Sequence, residues 1–325
     1  MAAVLHDSAR RHRLYFPKRL CKNSLMSQIF DWDLLQSFLA VARTGRLTVA
    51  AKRLGVDHST LSRRLATLEA ALGAKLFDRA LSGYSLTHQG EALLARAETM
   101  ESTALAIQSD IGQERGRVSG TVRIGTPDGF GTAFLAPVIH ELTAAQPGLH
   151  IDLVATPFGF SLSKREADIA ISLSRPAEGR VHVRKLTDYR LGLYAAAAAP
   201  GLWQEVKSLE DVAARPFISY IDDLLYNSEL DYTPAALRAV EPRLRSSTLV
   251  AQHAACAAGA GLCILPCFLA DSDPRLVRAL PEAVNLTRSF WMIVHSDMRE
   301  LARIRVTGDF IAEAVHRAAG RFMPG

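Results

Sequence analysis

The sequence predicts two parts of different fold class: an N-terminal all-α winged helix-turn-helix and, beyond one long helix, an α/β domain. Three observations predict this. Apolar residues recur at helical spacing from Asp31 to about Gly73, a heptad seam follows, and from Thr121 onward short strand-like runs alternate with helical ones. With 325 residues the chain is long enough for two or three domains with cores of their own. Hydrophobic residues at 49% and charged residues at 22% exclude wholesale disorder, and no apolar run approaches the ~18 residues of a membrane span.

The net charge of +5 matters by its location more than its size. Arg10, Arg11, Arg13, Lys18, Arg19 and Lys22 stand against Asp7 before Met26, so this stretch carries the whole excess and the remaining 300 residues are neutral. Residues 1–30 read as a basic N-terminal extension, disordered or a misassigned start with Met26 as the working initiator. An Arg-rich transit segment is the alternative, and no apolar h-region marks a secretory signal. Cys21, Cys256, Cys263 and Cys267 are sparse and clustered late, which fits a reducing cytoplasm rather than a disulfide framework.

The first helix starts at Asp31, carries Leu34, Leu35, Phe38, Leu39 and Ala42 on one face with Trp32 as an anchor, and stops at Thr44-Gly45. RLTVAAKRLG is a short second helix ending at Gly55, and VDHSTLSRRLATLEAALG a third, with Asp57 as its N-cap. Two helices joined by a few residues containing glycine make a helix-turn-helix. Ala50 and Ala51 allow close approach, while Val49, Leu54, Val56, Leu61, Leu65 and Leu68 supply the apolar faces. His58, Ser59, Thr60, Ser62, Arg63 and Arg64 are left at the start of the third helix, the part that enters the major groove, with Lys52, Arg53 and Arg79 nearby. From Arg43 to Arg79 eight basic residues face three acidic ones, so positive charge sits where such a motif needs it. A solvated helix face is the other reading of Arg63 and Arg64. LGAKLFDRALSGYSLTHQGE then reads as two strands around Ser82-Gly83, a wing, and a helix starting near Thr87.

On that helix Leu93, Ala97, Met100, Ala104, Ile107 and Ile111 repeat at steps of four and three, a seam that wants a partner helix; packing on the chain's own core is the alternative. GQERGRVSG reads as a hinge. Beyond it TVRIG, LHIDLVA, ADIAISL, RLGLYAAA, PFISY and LCILP read as strands, with helices at FLAPVIHELTAAQP and around Thr248 to Ala260, an alternation that predicts parallel α/β layers. Ligands of open α/β sheets sit beyond the carboxyl ends of strands. GTPDGFGTA therefore offers Thr126, Asp128, Gly129 and Phe130, at a helix N-terminus suited to an anion. Asp128 is equally readable as a helix cap.

The stretch from WDLLQSF to THQGEALL resembles the DNA-binding domain of LysR-type transcriptional regulators along its whole length, through its AAxxL helix, LSRRLATLE recognition helix, LGxxLFxR turn and LTxxGE entry to the linker. His58 and Ser59 stand where that family usually has glutamine and proline, so base preference is not carried over. The wing ALSGYSL lacks the arginine often found there. The resemblance implies a winged domain at 31–88, a dimerising linker helix at 89–117, and at 121–317 a two-subdomain α/β domain like periplasmic binding proteins, with subdomain one at 121–190 and 290–317 and subdomain two at 191–289. It implies a sequence-specific DNA-binding regulator, cytoplasmic and nucleoid-associated, acting on double-stranded DNA as a homodimer or homotetramer, with RNA polymerase as a further partner and no membrane association. A small organic effector, for which an anion is the family expectation, would bind between the subdomains, and no cofactor is implied. Phe158, Ser172, Arg175, Ser219, Tyr220 and Thr248 would line that pocket with the four residues above; capping explains the serines and threonines equally well.

Catalysis is not indicated: there is no G-x-S-x-G, Walker or HExxH motif, and the carboxylates of YIDDLLYNSELDY have no base at informative spacing. His253, Cys256, Cys263 and Cys267 superficially offer zinc ligands or a redox thiol, but GLCILPCFL reads as core. A solute-binding or transferase-like α/β protein with an appended helical domain is the competing class.

Overall fold

The computed structural model describes residues 31–80, 83–111, 118–157, 159, 166–177, 179–233, 237 and 241–324. The basic extension with Cys21, the wing tip at Ser82, most of the hinge and Phe158 lie outside the described residues. The chain parts into two compact units, Met1–Ala95 and Arg96–Gly325.

In the first unit, α1 (Trp32–Thr44) begins where the Asp31 carboxylate accepts the Asp33 N–H and ends at Gly45 in the left-handed region. α2 (Leu47–Leu54) closes at Gly55 and α3 (His58–Leu72) at Gly73 in the same way. Asp57 takes the cap position of α3 with extended backbone, yet its side chain makes no capping hydrogen bond, so the first-turn N–H groups of α3 lack that partner. Ala50 and Ala51 are buried, as are Leu61, Leu65 and Leu68 of α3. Val49, expected in the apolar face, is 42% exposed; α2 packs through Leu47, Ala50 and Ala51 instead. The antiparallel strands β1 (Phe77–Ala80) and β2 (Gly83–Leu86) form the wing. Phe77 seats it on α1 at 5.3 Å from Phe38. α4 (His88–Ile111) starts where the Thr87 hydroxyl accepts the Gly90 N–H.

The second unit holds β3 (Ser119–Pro127), α5 (Asp128–Phe130), a π-turn Gly131–Leu135 that continues into α6 (Ala136–Ala145), β4 (Gly148–Thr156), β5 (Ile169–Ser172) and β6 (Val181–Ala196). There follow α7 (Leu209–Ala213), β7 (Phe217–Tyr220), β8 (Leu244–Ser246), α8 (Leu249–Ala257), β9 (Leu262–Pro266), α9 (Cys267–Ala270), β10 (Leu276–Ala279), β11 (Leu286–His295), α10 (Ala302–Arg317) and α11 (Ala319–Phe322). The strands form one nine-stranded sheet in the order β4-β3-β5-β11-β6-β9-β7-β8, with β10 on β6.

The expected parallel layers are only part of this sheet. β3 pairs in parallel with β4 and β5, and β7 with β8 and β9, giving two lobes, but β6 and β11 are antiparallel and run from one lobe into the other. β6 begins at Val181, earlier than RLGLYAAA suggested, and β11 had no strand signal in the sequence reading. Their register shifts between Phe290 and Trp291, which pair with Thr187 and Lys185 and skip Leu186. The expected subdomain boundaries at 190/191 and 289/290 thus fall inside β6 and beside that shift. An aromatic cluster fills the core here: Phe290 stacks on Tyr189 at 4.3 Å and lies 4.7 Å from Phe130. Among the described residues no helix is long and apolar enough to cross a membrane.

Gly83 opens the wing at φ +133, and a Cβ there would come within 2.4 Å of the Gly45 carbonyl oxygen, which accepts the Tyr84 N–H. Gly83→Ala should therefore cost about 1–3 kcal/mol in the first unit, read as a lower Tm by circular dichroism.

Candidate DNA interface and effector cleft

The exposed start of α3 follows from its packing. Leu61, Leu65 and Leu68 turn one face inward, which leaves His58, Ser59 and Arg63 exposed and Thr60, Ser62 and Arg64 half-buried. The two arginines differ. Arg64 reaches back to Asp33 of α1 at 3.4 Å, while Arg63 has no carboxylate partner among the described residues. Lys52 and Arg53 are exposed on the last turn of α2, and Arg79 lies over the Tyr84 ring at 5.4 Å. Burial works against the Glu69 charge, but the Leu76 N–H at 2.9 Å and Lys75 at 3.0 Å hold its carboxyl below the usual range and fix the turn between α3 and the wing.

In the second unit, the expected pocket residues separate into three kinds. Thr126 and Phe130 are spent inside lobe one: the Thr126 hydroxyl is fully buried and donates to the Pro127 carbonyl, and Phe130 is 1% exposed within the aromatic cluster. Asp128 and Gly129 face the other lobe. The Asp128 carboxylate accepts the Val250 N–H at 3.3 Å at the start of α8, and a Cβ on Gly129 would lie 2.4 Å from Leu249. So Asp128 is a cap, although of a helix 120 residues away rather than its own. Thr248 caps the same helix conventionally, accepting the Ala251 N–H at 3.2 Å. Burial lifts the Asp128 carboxyl above the ordinary range, against hydrogen bonds from Val250, Gly129 and Leu249.

The third kind lies at strand ends. Ser172 accepts the Ser174 N–H at 3.3 Å, and the Ser174 hydroxyl accepts from the Asn227 amide at 2.9 Å, a second bond between the lobes. Ser219 is half-buried, Tyr220 packs edge-on against Tyr232 at 5.9 Å, and Arg175 is exposed. Tyr226, Asn227 and Tyr232 were missed in the sequence. They lie in YIDDLLYNSELDY, interleaved with its carboxylates; burial raises the Tyr226 hydroxyl, and the nearby Tyr232 and Asp128 add to the shift.

A winged helix-turn-helix ahead of two α/β lobes joined by crossing strands matches two family models. One, "Bacterial regulatory helix-turn-helix protein, lysR family", covers residues 32–91, and the other, "LysR substrate binding domain", covers residues 115–316. The chain belongs to the LysR family of transcriptional regulators. This LysR-type regulator is similar to the Mau operon transcriptional activator of Paracoccus denitrificans, 31% identical over 291 residues, spanning 88% of this chain and 98% of that protein. It is also similar to the transcriptional regulator PtxR of Pseudomonas aeruginosa, 28% identical over 256 residues that span 76% and 81% of the two chains. Solved structures with the same fold include a full-length OxyR variant from Pseudomonas aeruginosa (TM-score 0.64, 20% identity, 88% and 98% coverage) and ArgP from Mycobacterium tuberculosis (0.63, 22%, 88% and 98%). The regulator thus has a helix-turn-helix DNA-binding domain and a C-terminal effector-binding domain.

Cys256, Cys263 and Cys267 are buried, and no metal-holding cluster occurs among the described residues. His253 pairs instead with Asp273 at 3.1 Å. Burial pushes the Cys256 thiol up to about 12 and the Cys263 thiol well above its ordinary value, which suppresses the thiolate.

Two outcomes are expected. In a Cys21→Ser variant, the native regulator should show no fast reaction with Ellman's reagent near neutral pH, and three thiols should appear on unfolding. For Asp128 the folded pKa is raised, so the folded state holds its proton longer and stability falls as pH rises from about 4 through the folded value. Asp128→Asn keeps an acceptor for Val250 without the charge; it should raise Tm near neutral pH by on the order of 1–3 °C and flatten this pH dependence in calorimetry.

Proposed function

We propose that this regulator reads its operator with the first two turns of α3 entering the major groove, His58, Ser59, Thr60 and Ser62 meeting base edges and Arg63 a phosphate. The exposed, unpaired Arg63 beside the Asp33-tethered Arg64 carries this reading: the first is available to DNA and the second holds α3 on α1. Lys52, Arg53 and Arg79 add backbone contacts. The uncapped N–H groups at the start of α3 favour phosphate further.

A homodimer or homotetramer joined along α4 presents two such heads to a partly palindromic site. Met100 at 50% and Ile107 at 52% exposure support that seam, with Leu93 and Ala104 half-buried beside them. Ala97 is already buried within the chain, and the Ile111 side chain lies outside the described residues. Domain limits follow as 31–88, 89–117 and 121–317. A small organic effector in the cleft bounded by Asp128, Gly129, Ser172, Arg175, Ser219, Tyr220 and Thr248 changes how the lobes meet and, through α4, how the heads lie on DNA and engage RNA polymerase. The protein works in the bacterial cytoplasm, at the nucleoid, and performs no catalysis.

The test is binding of purified protein to the intergenic DNA beside its own gene at two salt concentrations, with an unrelated fragment as control. Specific, salt-sensitive binding is expected, and Arg63→Ala should weaken it on all sequences while lowering the salt slope by about 0.9 for one lost phosphate. An unchanged affinity and slope would reject this interface.

A further inference from the structure

Between α10 and the sheet, on the lobe that holds β3 to β5, lies a cavity of about 250 Å³. Its floor is two cross-strand pairs, Met292 opposite Arg184 and Val294 opposite His182, which alternate along β11 and β6 and so share one face. Its wall is one side of α10, where Ile304, Arg305, Gly308 and Asp309 recur at helical spacing. Gly308 makes the room: a Cβ there would touch the Met292 methyl at 3.4 Å, and a longer side chain would enter the cavity.

The charges around this mixed floor do not balance. Arg184 pairs with Asp309 at 3.6 Å and Arg299 meets Glu300 at 4.0 Å, but Arg305 has no carboxylate partner among the described residues. A cationic surplus over methionine, valine and isoleucine side chains suits a carboxylate attached to an apolar body. An opening of this size admits an occupant of small-metabolite size.

We infer that this cavity is a second small-molecule site, apart from the cleft, that takes a small organic carboxylate with its charge on Arg305 and its apolar body on Met292, Val294 and Ile304. Its position gives it leverage. β11 leaves the floor at Val294 and turns through Ser296–Met298, where Asp297 accepts from Arg180 at 3.1 Å and from Thr99 of α4 at 3.4 Å. Arg299 and Glu300 of the cavity follow directly, so an occupant bears on the turn that anchors the long helix. That consequence rests on the regulator reading; binding itself does not.

Phenylacetate serves as the probe, with phenylacetamide as its neutral counterpart, and binding to the full chain is read without DNA by ligand-observed NMR and calorimetry. Phenylacetate should bind, phenylacetamide should bind at least about tenfold more weakly, and both Gly308→Leu, which fills the cavity, and Arg305→Glu, which reverses its charge, should weaken phenylacetate by about tenfold or more. Ser172→Phe in the cleft should leave the affinity unchanged. Absence of binding at about 10 mM, equal binding of acid and amide, insensitivity to both cavity variants, or loss in the cleft variant alone would overturn the assignment. Because no arm of this experiment uses DNA, a failed operator assay and a failed cavity assay are distinguishable.

Discussion

The antiparallel pairing of β6 with β11 is the constraint on which the second unit depends. Each lobe is a small parallel sheet, and the lobes are continuous only because these two strands run through both. Skipping Leu186 bends the pair where it passes between them, and a bulged two-strand ribbon deforms more readily than a packed core. Phe290, at the shift, is held by Tyr189, Phe130 and Phe268, so the crossing is also where the aromatic core is densest. The unit thus combines an aromatic cluster at the crossing with lobe edges that meet, among the described residues, through polar contacts such as Asp128 to Val250 and Asn227 to Ser174.

The first unit solves a different problem, that of presenting a rigid polar surface on few residues. Three helices close on glycines in the left-handed region, and the first of these, Gly45, is also the stop against which the wing is placed through the Tyr84 N–H. Fixing α1 therefore fixes the wing. Arg64 adds a tether from α3 to α1, whereas the adjacent Arg63 is exposed and has no carboxylate partner among the described residues.

Much of this was legible because it is local. Helix spacing, glycine stops and the alanine pair place α1, α2 and α3 within a residue or two, since each signal acts within one turn. The parallel strands β3, β4, β5, β7 and β9 were legible from apolar runs for the same reason, whereas the three-residue β8 carries no such run. β11 was not: LTRSFWMIVH mixes charged and apolar residues, because it lies between lobes and serves two environments along its length. Val49 was misread because helical spacing alone does not show where the stripe of a short helix ends. Phe130 was taken for a pocket residue from its place after a strand, and only the packed neighbours from β11 and α11 show its ring to be core. The Asp128 contact joins residues 122 positions apart, beyond any local pattern.

That contact changes what the cleft asks of an effector. The N-terminus of α8 is the natural seat for an anion in this lobe, since its N–H groups and dipole face outward from the sheet. The chain places its own carboxylate there, half-buried and raised in pKa by that burial, so an anionic ligand would meet a like charge at close range. Around it stand the hydroxyls and amide of Ser172, Ser219, Tyr220, Tyr226 and Asn227, which recognise by hydrogen bonding and ring contact, and the exposed guanidinium of Arg175. The cavity between α10 and the sheet carries on its α10 side a second arginine, Arg305, without a carboxylate partner among the described residues. An anion in the cleft would therefore need Arg175 to offset the repulsion of Asp128, whereas a neutral ligand would need only the hydroxyls and the amide.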